Sequence, residues 1–351
     1  MGLWTSRNSA RWALAGLGGF LLLQVAACRG PAPQQRLVLG AYTAPREAFR
    51  EINERFEAEW ERKTGQSLQI QESYLSSGAQ SRAVVDGFEA DVVALSLDSD
   101  LDRLVQAGLI RHPWREGPHG GYLTESLVAF AVRPGNPKGI RDWSDLLRPG
   151  LKVLTPNPKT SGGAQWNVLA AYGAVLRGKV AGFSSDPQGA QEFLTRLLSQ
   201  VVAMGKGARE SILTFERGLG DAALSYENEI QQGQATGQKY ERIIPTSTIR
   251  IQNPVALVDR NVDRHGNREV AEAYMSYLWS PEAQTIFAKH GFRSVLPQIM
   301  AEFSDRFPQV TDLFTIDFFG GWAKVHEAFF GEKGIFVEAS EAAQNRRNQK
   351  P

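Results

Sequence analysis

Small and hydroxylated residues follow four strand-like apolar runs, and each opens a segment with helical spacing. These residues are Thr43, Ser77, the run Ser161-Gly162-Gly163, and Gly207-Ala208. Ligands of open α/β sheets bind outside the carboxyl ends of the strands. A helix N-terminus at that edge offers unpaired backbone N–H groups and a positive dipole end, both of which favour an anion. The four positions together predict an anion site if they converge, although each residue taken singly is more often only a helix cap.

Signatures of catalysis are mostly missing. The chain has no G-x-x-x-x-G-K-[ST] nucleotide loop and no G-x-S-x-G nucleophile elbow. Lys159-Thr160-Ser161 resembles the Lys-Thr-Gly element of penicillin-recognising enzymes, but no S-x-x-K motif supplies a nucleophile. Glu227 and Glu229 could form an acid pair; we favour an exposed or salt-bridged loop for this segment.

Composition excludes several classes of protein. The 351 residues include 39 Lys and Arg against 38 Asp and Glu, so no basic surface argues for a nucleic-acid partner. A single cysteine excludes an internal disulfide framework and a cysteine-built metal site. The five histidines show no metal-binding spacing. We therefore expect neither a metal nor another cofactor.

The first 28 residues have the pattern of an export signal. Arg7 and Arg11 precede a mostly apolar stretch over 12–23, which is too short for a spanning helix. Small residues then lead to Cys28 in the sequence VAAC, which resembles a lipobox and predicts a lipid on this cysteine. Ordinary cleavage after Ala27, with an incidental cysteine, is the alternative. Residues 29–36 form a short Pro-rich linker.

The remaining chain alternates between strand-like and helix-like segments. Strands are predicted over 37–42, 68–74, 91–97, 127–132, 152–154, 222–224 and 255–258. Helices are predicted over 44–63, 79–86, 164–176, 188–199, 209–217, 268–279 and 281–289. For the first helix we expect Thr43 as the N-cap and Gly65 as the C-cap. The alternation predicts a parallel, doubly wound α/β architecture.

Several stretches of this chain resemble the periplasmic sulfate-binding proteins of bacterial ABC importers. The most specific is 156–167 (PNPKTSGGAQWN). Others are 86–93 (DGFEADVV), 135–140 (GNPKGI), 227–229 (ENE), 270–274 (VAEAY), 280–284 (SPEAQ), 313–316 (LFTI) and 320–322 (GGW). The resemblance extends over about 37–335, which is nearly the whole chain after the signal.

The resemblance implies a two-lobed periplasmic-binding-protein fold of type II. Each lobe would be a doubly wound, mostly parallel sheet, with the ligand in the cleft between lobes. We expect lobe 1 over 37–125, lobe 2 over 126–254, and a return to lobe 1 with a C-terminal extension over 255–351. The implied protein is a periplasmic monomer that delivers sulfate to membrane permease subunits and is not an enzyme. Alternatives are thiosulfate or another tetrahedral oxyanion as ligand, or an enzyme that uses Glu227 or Glu229 as acid or base.

The resemblance also implies the ligand contacts. Ser161, Gly162 and Gly163 match the family pattern fully, with one hydroxyl and two backbone N–H groups. Ser77 and Ala208 also match, while Thr43 stands where the family usually has Asp and would contribute its backbone N–H. Tyr226 stands where the sulfate proteins commonly place a Trp, so a hydroxyl would replace an indole N–H.

The chemistry of the two dianions explains how such a site could discriminate. Sulfate at neutral pH is fully ionised and has only hydrogen-bond acceptors. Hydrogen phosphate carries a proton that needs an acceptor, and leaving that proton unpaired in a dry cleft costs about 1–3 kcal/mol or more. A site built only from donors would therefore reject phosphate.

Overall fold

The computed structural model describes residues 34–349. The predicted signal segment and Cys28 lie outside these residues. The strands of the described chain are β1 (Gln35–Tyr42), β2 (Leu68–Leu75), β3 (Val92–Ala94), β4 (Tyr122–Val132), β5 (Val153–Pro156), β6 (Val201–Gly205), β7 (Ala222–Tyr226), β8 (Glu241–Ile243), β9 (Ser247–Leu257), β10 (Arg293–Ser294) and β11 (Asp312–Phe314).

The helices of the same residues are α1 (Arg46–Thr64), α2 (Ser77–Val85), α3 (Asp98–Gln106), α4 (Gly162–Leu176), α5 (Pro187–Ser199), α6 (Ala208–Glu216), α7 (Glu227–Ala235), α8 (Asp259–His265), α9 (Arg268–Leu278), α10 (Pro281–Lys289), α11 (Pro297–Glu302), α12 (Trp322–Val325) and α13 (Ile335–Asn348). Among them, none is both long and apolar enough to cross a membrane.

Two groups of three parallel strands are joined through two long strands. The order of the main sheet is β2-β1-β3-β9-β4-β7-β5-β6. β1 runs parallel to β2 and β3, and β5 runs parallel to β6 and β7. The antiparallel pairings of the described residues all involve β4 or β9. The predicted α/β architecture is confirmed; the sequence did not indicate the two reversed strands, because a buried apolar run looks the same in either direction.

Helix α1 begins later than predicted. Its first residue is Arg46, Pro45 occupies the cap position, and no side chain caps the helix. Thr43 as the N-cap was therefore wrong, since a proline disfavours helical geometry at the residue before it. Gly65 ends the helix at φ 70° as predicted, and its N–H donates to the Glu61 carbonyl at 2.8 Å. Thr43 is left in the connection between β1 and α1.

Helix α4 is enclosed on all sides. Thirteen of its fifteen residues are buried, as expected for a helix without a polar face. Trp166 packs edge-on against Trp322 with ring centroids 4.6 Å apart. Tyr172 meets Phe329 in the same way at 5.0 Å. The C-terminal segment thereby holds α4, and with it the glycines of its first turn, in place.

Candidate anion-binding site

The seven residues predicted to contact the ligand all line one cavity. Its lining consists of Tyr42, Thr43, Ala44, Ser76, Ser77, Ser96, Ser161, Gly162, Gly163, Gly207, Ala208 and Tyr226. The cavity is narrow, with about 10 Å³ open to water, so only a small ligand fits between its walls. Residues far apart in the sequence thus form one small, neutral enclosure that carries no ionisable group except two tyrosines.

Three helices begin at this cavity. Ser77 is the first residue of α2, Gly162 of α4 and Ala208 of α6. None of the three helices has a side-chain cap bond, so the first-turn N–H groups are left without helical partners. Three positive dipole ends converge on the same space. This arrangement stabilises a negative charge without a cationic side chain.

Ser161 occupies the N-cap position of α4 but does not cap it. Its backbone is extended, with φ −120° and ψ 122°. Its N–H donates to the Asn157 carbonyl at 2.9 Å. The group that Ser161 can offer to the cavity is therefore its hydroxyl.

Gly162 and Gly163 are required for close packing. Neither has a positive φ, so conformational freedom is not the reason for glycine. A Cβ on Gly162 would lie 2.7 Å from Ser96 Oγ, and one on Gly163 would lie 2.7 Å from Tyr226 Cε2. Any larger residue would push the far wall of the cavity away.

The hydroxyl of Ser77 is already used inside the protein. It donates to Asp100 Oδ2 at 2.6 Å and accepts from the Ser96 N–H at 2.9 Å. Arg103 Nη1 lies 2.9 Å from the other oxygen of the same carboxylate. Ser77 therefore presents its backbone N–H to the cavity, and the negative charge of Asp100 is paired away from it.

Tyr226 forms a hydrogen bond with Ser96, a residue that was not among the predicted ligand contacts. The two oxygens lie 2.6 Å apart, and either can be the donor. Both residues are buried, and burial raises the pKa of Tyr226 above its ordinary value, so its hydroxyl stays neutral. The available signal for Ser96 was a hydroxyl just past the apolar run of β3. Trp166 fixes the backbone here, because its Nε1 donates to the Ser96 carbonyl at 3.1 Å.

Glu227 and Glu229 lie in the first turn of α7 and are buried. The expected exposed loop was wrong; the expected salt bridges are present. Arg293 Nε lies 2.7 Å from Glu227 Oε2, and Arg242 Nη1 lies 3.1 Å from Oε1. Charged residues are seldom fully buried unless they are paired, and here the pairing partners are distant in sequence. Residues two positions apart on a helix face different directions, so the two carboxylates do not form an acid pair.

Burial raises the pKa of Glu229 to about 7. Arg209, whose Nε lies 3.0 Å from Oε2, lowers this pKa, while the negative charges of Glu47 and Glu216 raise it. Between pH 4.5 and 7 the folded protein therefore keeps a proton that the unfolded chain releases. The free energy of unfolding attributable to this group falls as pH rises through that range, by up to roughly 3 kcal/mol.

Denaturant unfolding at several pH values tests this prediction. We expect Glu229→Gln to remove the decline in the free energy of unfolding that this carboxyl causes between pH 4.5 and 7. Substitution of the exposed Glu241 by Gln should keep the pH profile of the unmodified protein. Superimposable profiles for Glu229→Gln and the unmodified protein would contradict it.

A larger cavity of about 560 Å³ borders the narrow one, and both are lined by Ser161 and Gly162. Its walls carry the cationic side chains of Arg82, Arg103 and Lys159 and the carboxylates of Asp100 and Glu332, which leaves positive charge in excess. Positive charge at the wall of a cleft raises the local concentration of anions. The neutral cavity therefore has a cationic neighbour on one side.

Comparison with known proteins gives the family. The family model described as bacterial extracellular solute-binding protein matches residues 37–293. A sulfate-binding protein of Synechococcus elongatus is 41 % identical over 98 % of this chain and 99 % of its own length. A sulfate-binding protein of Escherichia coli is 39 % identical over 91 % and 97 %. A thiosulfate-binding protein of Pseudomonas aeruginosa is 37 % identical over 86 % and 91 %.

The solved structures agree with the sequence relatives. The sulfate-binding protein SubI from Mycobacterium tuberculosis superimposes with a TM-score of 0.76 at 36 % identity, covering 84 % of this chain and 98 % of that one. A periplasmic thiamin binding protein shares the fold, with a TM-score of 0.66 at 16 % identity over 90 % and 98 %. The expected periplasmic-binding-protein fold is thereby confirmed. The chain belongs to the family of bacterial extracellular solute-binding proteins.

Proposed function

We propose that this protein captures sulfate in the narrow cavity and delivers it to the permease subunits of an ABC importer. The observation that carries this proposal is the convergence of three uncapped helix N-termini on a lining without a carboxylate. Such a lining offers hydrogen-bond donors to a ligand that has only acceptors. Relatives at 41 % and 39 % identity are named sulfate-binding proteins, which supports the same ligand here.

The proposed contacts are mainly backbone groups. They are the N–H groups of Thr43, Ser77, Gly162, Gly163 and Ala208, with the hydroxyls of Ser161 and Tyr226. A buried dianion loses its hydration, and this loss is costly unless its oxygens are hydrogen-bonded. Each bond to a charged group contributes about 1.5–3 kcal/mol. Several converging bonds can therefore hold sulfate without a counter-ion.

Thiosulfate is the second candidate ligand. It shares the tetrahedral shape and the charge of sulfate, and a relative at 37 % identity is named for it. An enzymatic role for Glu227 is disfavoured because two arginines hold its carboxylate in a buried ion pair. The side chain of Glu229 is buried beside Arg209, which gives it a structural role as well.

The proposal includes the setting of the protein. Residues 1–28 act as an export signal, and the mature chain works in the periplasm as a monomer, tethered by a lipid on Cys28. The two lobes divide near residues 125 and 254, and β4 and β9 connect the two groups of parallel strands. The separate hydrophobic clusters of these groups support that division.

Calorimetric titration with sulfate, thiosulfate and nitrate tests the proposed function. Ser161→Ala removes the hydroxyl from the best-matched motif, so we expect sulfate affinity to fall by about 1.5–3 kcal/mol, or roughly 10- to 150-fold. Ser199→Ala is the control, because this exposed hydroxyl bonds only to the nearby Arg196 carbonyl. A folded Ser161→Ala variant with unchanged affinity would remove Ser161 from the site.

A further inference from the structure

The Ser96–Tyr226 pair differs from the other groups of the cavity. Its two hydroxyls share one hydrogen bond of 2.6 Å, and both residues line the cavity. A hydroxyl has one proton and two acceptor lone pairs. One proton and one lone pair are used between the partners, so the pair presents one donor and at least one acceptor to the cavity. Which oxygen plays which role is not fixed by covalent structure.

The remaining contacts lack this freedom. The backbone N–H groups of Gly162 and Gly163 can only donate. The Ser77 hydroxyl is held between Asp100 and the Ser96 N–H. A lone hydroxyl such as that of Ser161 could accept a hydrogen bond from the ligand O–H only if its own O–H found another acceptor. For Tyr226 that partner is already in place, because Ser96 Oγ lies within hydrogen-bond distance.

We propose that this hydroxyl pair lets the site bind tetrahedral oxyanions that carry one proton, such as hydrogen phosphate, as well as fully ionised ones. With sulfate, Ser96 donates to Tyr226 and Tyr226 donates to the ligand. With hydrogen phosphate, the ligand O–H donates a hydrogen bond to Tyr226 Oη. Tyr226 then donates to Ser96, and Ser96 donates to another ligand oxygen. Every proton has an acceptor in both states. The inference rests on the proposed anion-binding function of the cavity.

An indole at position 226 would behave differently. The indole can donate a hydrogen bond through its N–H but has no acceptor atom, so the O–H of hydrogen phosphate would face another N–H donor. Sites that leave a buried polar group unpaired reject such a ligand by about 10⁴- to 10⁵-fold. Tyrosine at this position therefore relaxes the selectivity that the donor-only pattern of the family implies.

Titration at pH 8 with sulfate and with inorganic phosphate tests the inference, because both are then dianions of similar shape. We expect the two affinities of the unmodified protein to differ by less than about 100-fold. Tyr226→Phe should weaken phosphate at least tenfold more than sulfate, since phenylalanine cannot accept the ligand proton. Tyr226→Trp should likewise raise the preference for sulfate over phosphate. Tyr172→Phe is the control, because its hydroxyl bonds to the Pro187 carbonyl instead of lining the cavity.

The outcomes separate this inference from the proposed function. Sulfate binding with a preference well above about 100-fold over phosphate would overturn the inference and leave the function standing. An unchanged ratio of affinities in a folded Tyr226→Phe variant would overturn it as well. If neither anion binds the unmodified protein, the proposed function itself fails.

Discussion

Replacement of Gly163 by alanine is expected to weaken sulfate binding by at least about 100-fold. The new Cβ would lie 2.7 Å from Tyr226 Cε2 and 3.2 Å from its Oη. The first turn of α4 cannot retreat, because the helix is enclosed by the sheet and the C-terminal segment. The ring of Tyr226 must therefore tilt, which withdraws the tyrosine hydroxyl from the ligand. The new methyl group also takes up space beside the N–H of residue 163, so the ligand loses this backbone contact as well. Two bonds to a charged ligand amount to about 3–6 kcal/mol.

The matched control is Gly207→Ala. Gly207 lines the same cavity, but a Cβ there would meet only Ser76 Cβ at 3.9 Å, which is an ordinary contact. We expect a loss below about threefold for this variant by calorimetry. Circular dichroism of both variants should match that of the unmodified protein. Strong sulfate binding by a folded Gly163→Ala variant would show that the ligand does not sit against this turn.

Replacement of Glu227 by alanine is expected to destabilise the protein by about 3–5 kcal/mol, the range for breaking a buried ion pair. The carboxylate is fully buried and pairs with Arg242 and Arg293 at once. Those arginines also donate to the carbonyls of Arg306 and Pro308. Without Glu227, two largely buried guanidinium groups lose their only carboxylate partner among the described residues.

Denaturant unfolding measures this effect, with Glu192→Ala as the control. Glu192 pairs with Arg346, but both side chains are 44 % exposed. Exposed pairs contribute at most about 1 kcal/mol, so the control should unfold close to the unmodified protein. Similar stability of the two variants would mean that the ion pairs of Glu227 contribute no more to the free energy of unfolding than an exposed ion pair does. Because Glu227 directly follows Tyr226, we also expect weaker sulfate binding by the Glu227→Ala variant.

Most of the candidate site was predictable from local sequence. A small residue that opens a helix shortly after a strand can be recognised from neighbouring residues alone, as Ser77, Gly162 and Ala208 show. The resemblance then indicated that these turns act together. Thr43 shows the limit of this reasoning, because Pro45 displaced the start of α1 by two residues from the predicted position. The ligand roles themselves stay predictions.

The chain by itself determined, to within about two residues, where helices such as α2, α4 and α6 begin. It also determined which turns lack a Cβ and that strands and helices alternate. These features depend on bonds and contacts between residues a few positions apart. Tertiary structure alone decided that the turns share one cavity and that Glu227 is buried between two arginines. It also placed Ser96 against Tyr226, which is 130 positions away. Such contacts depend on the order and direction of strands in the sheet, and no local pattern encodes that order.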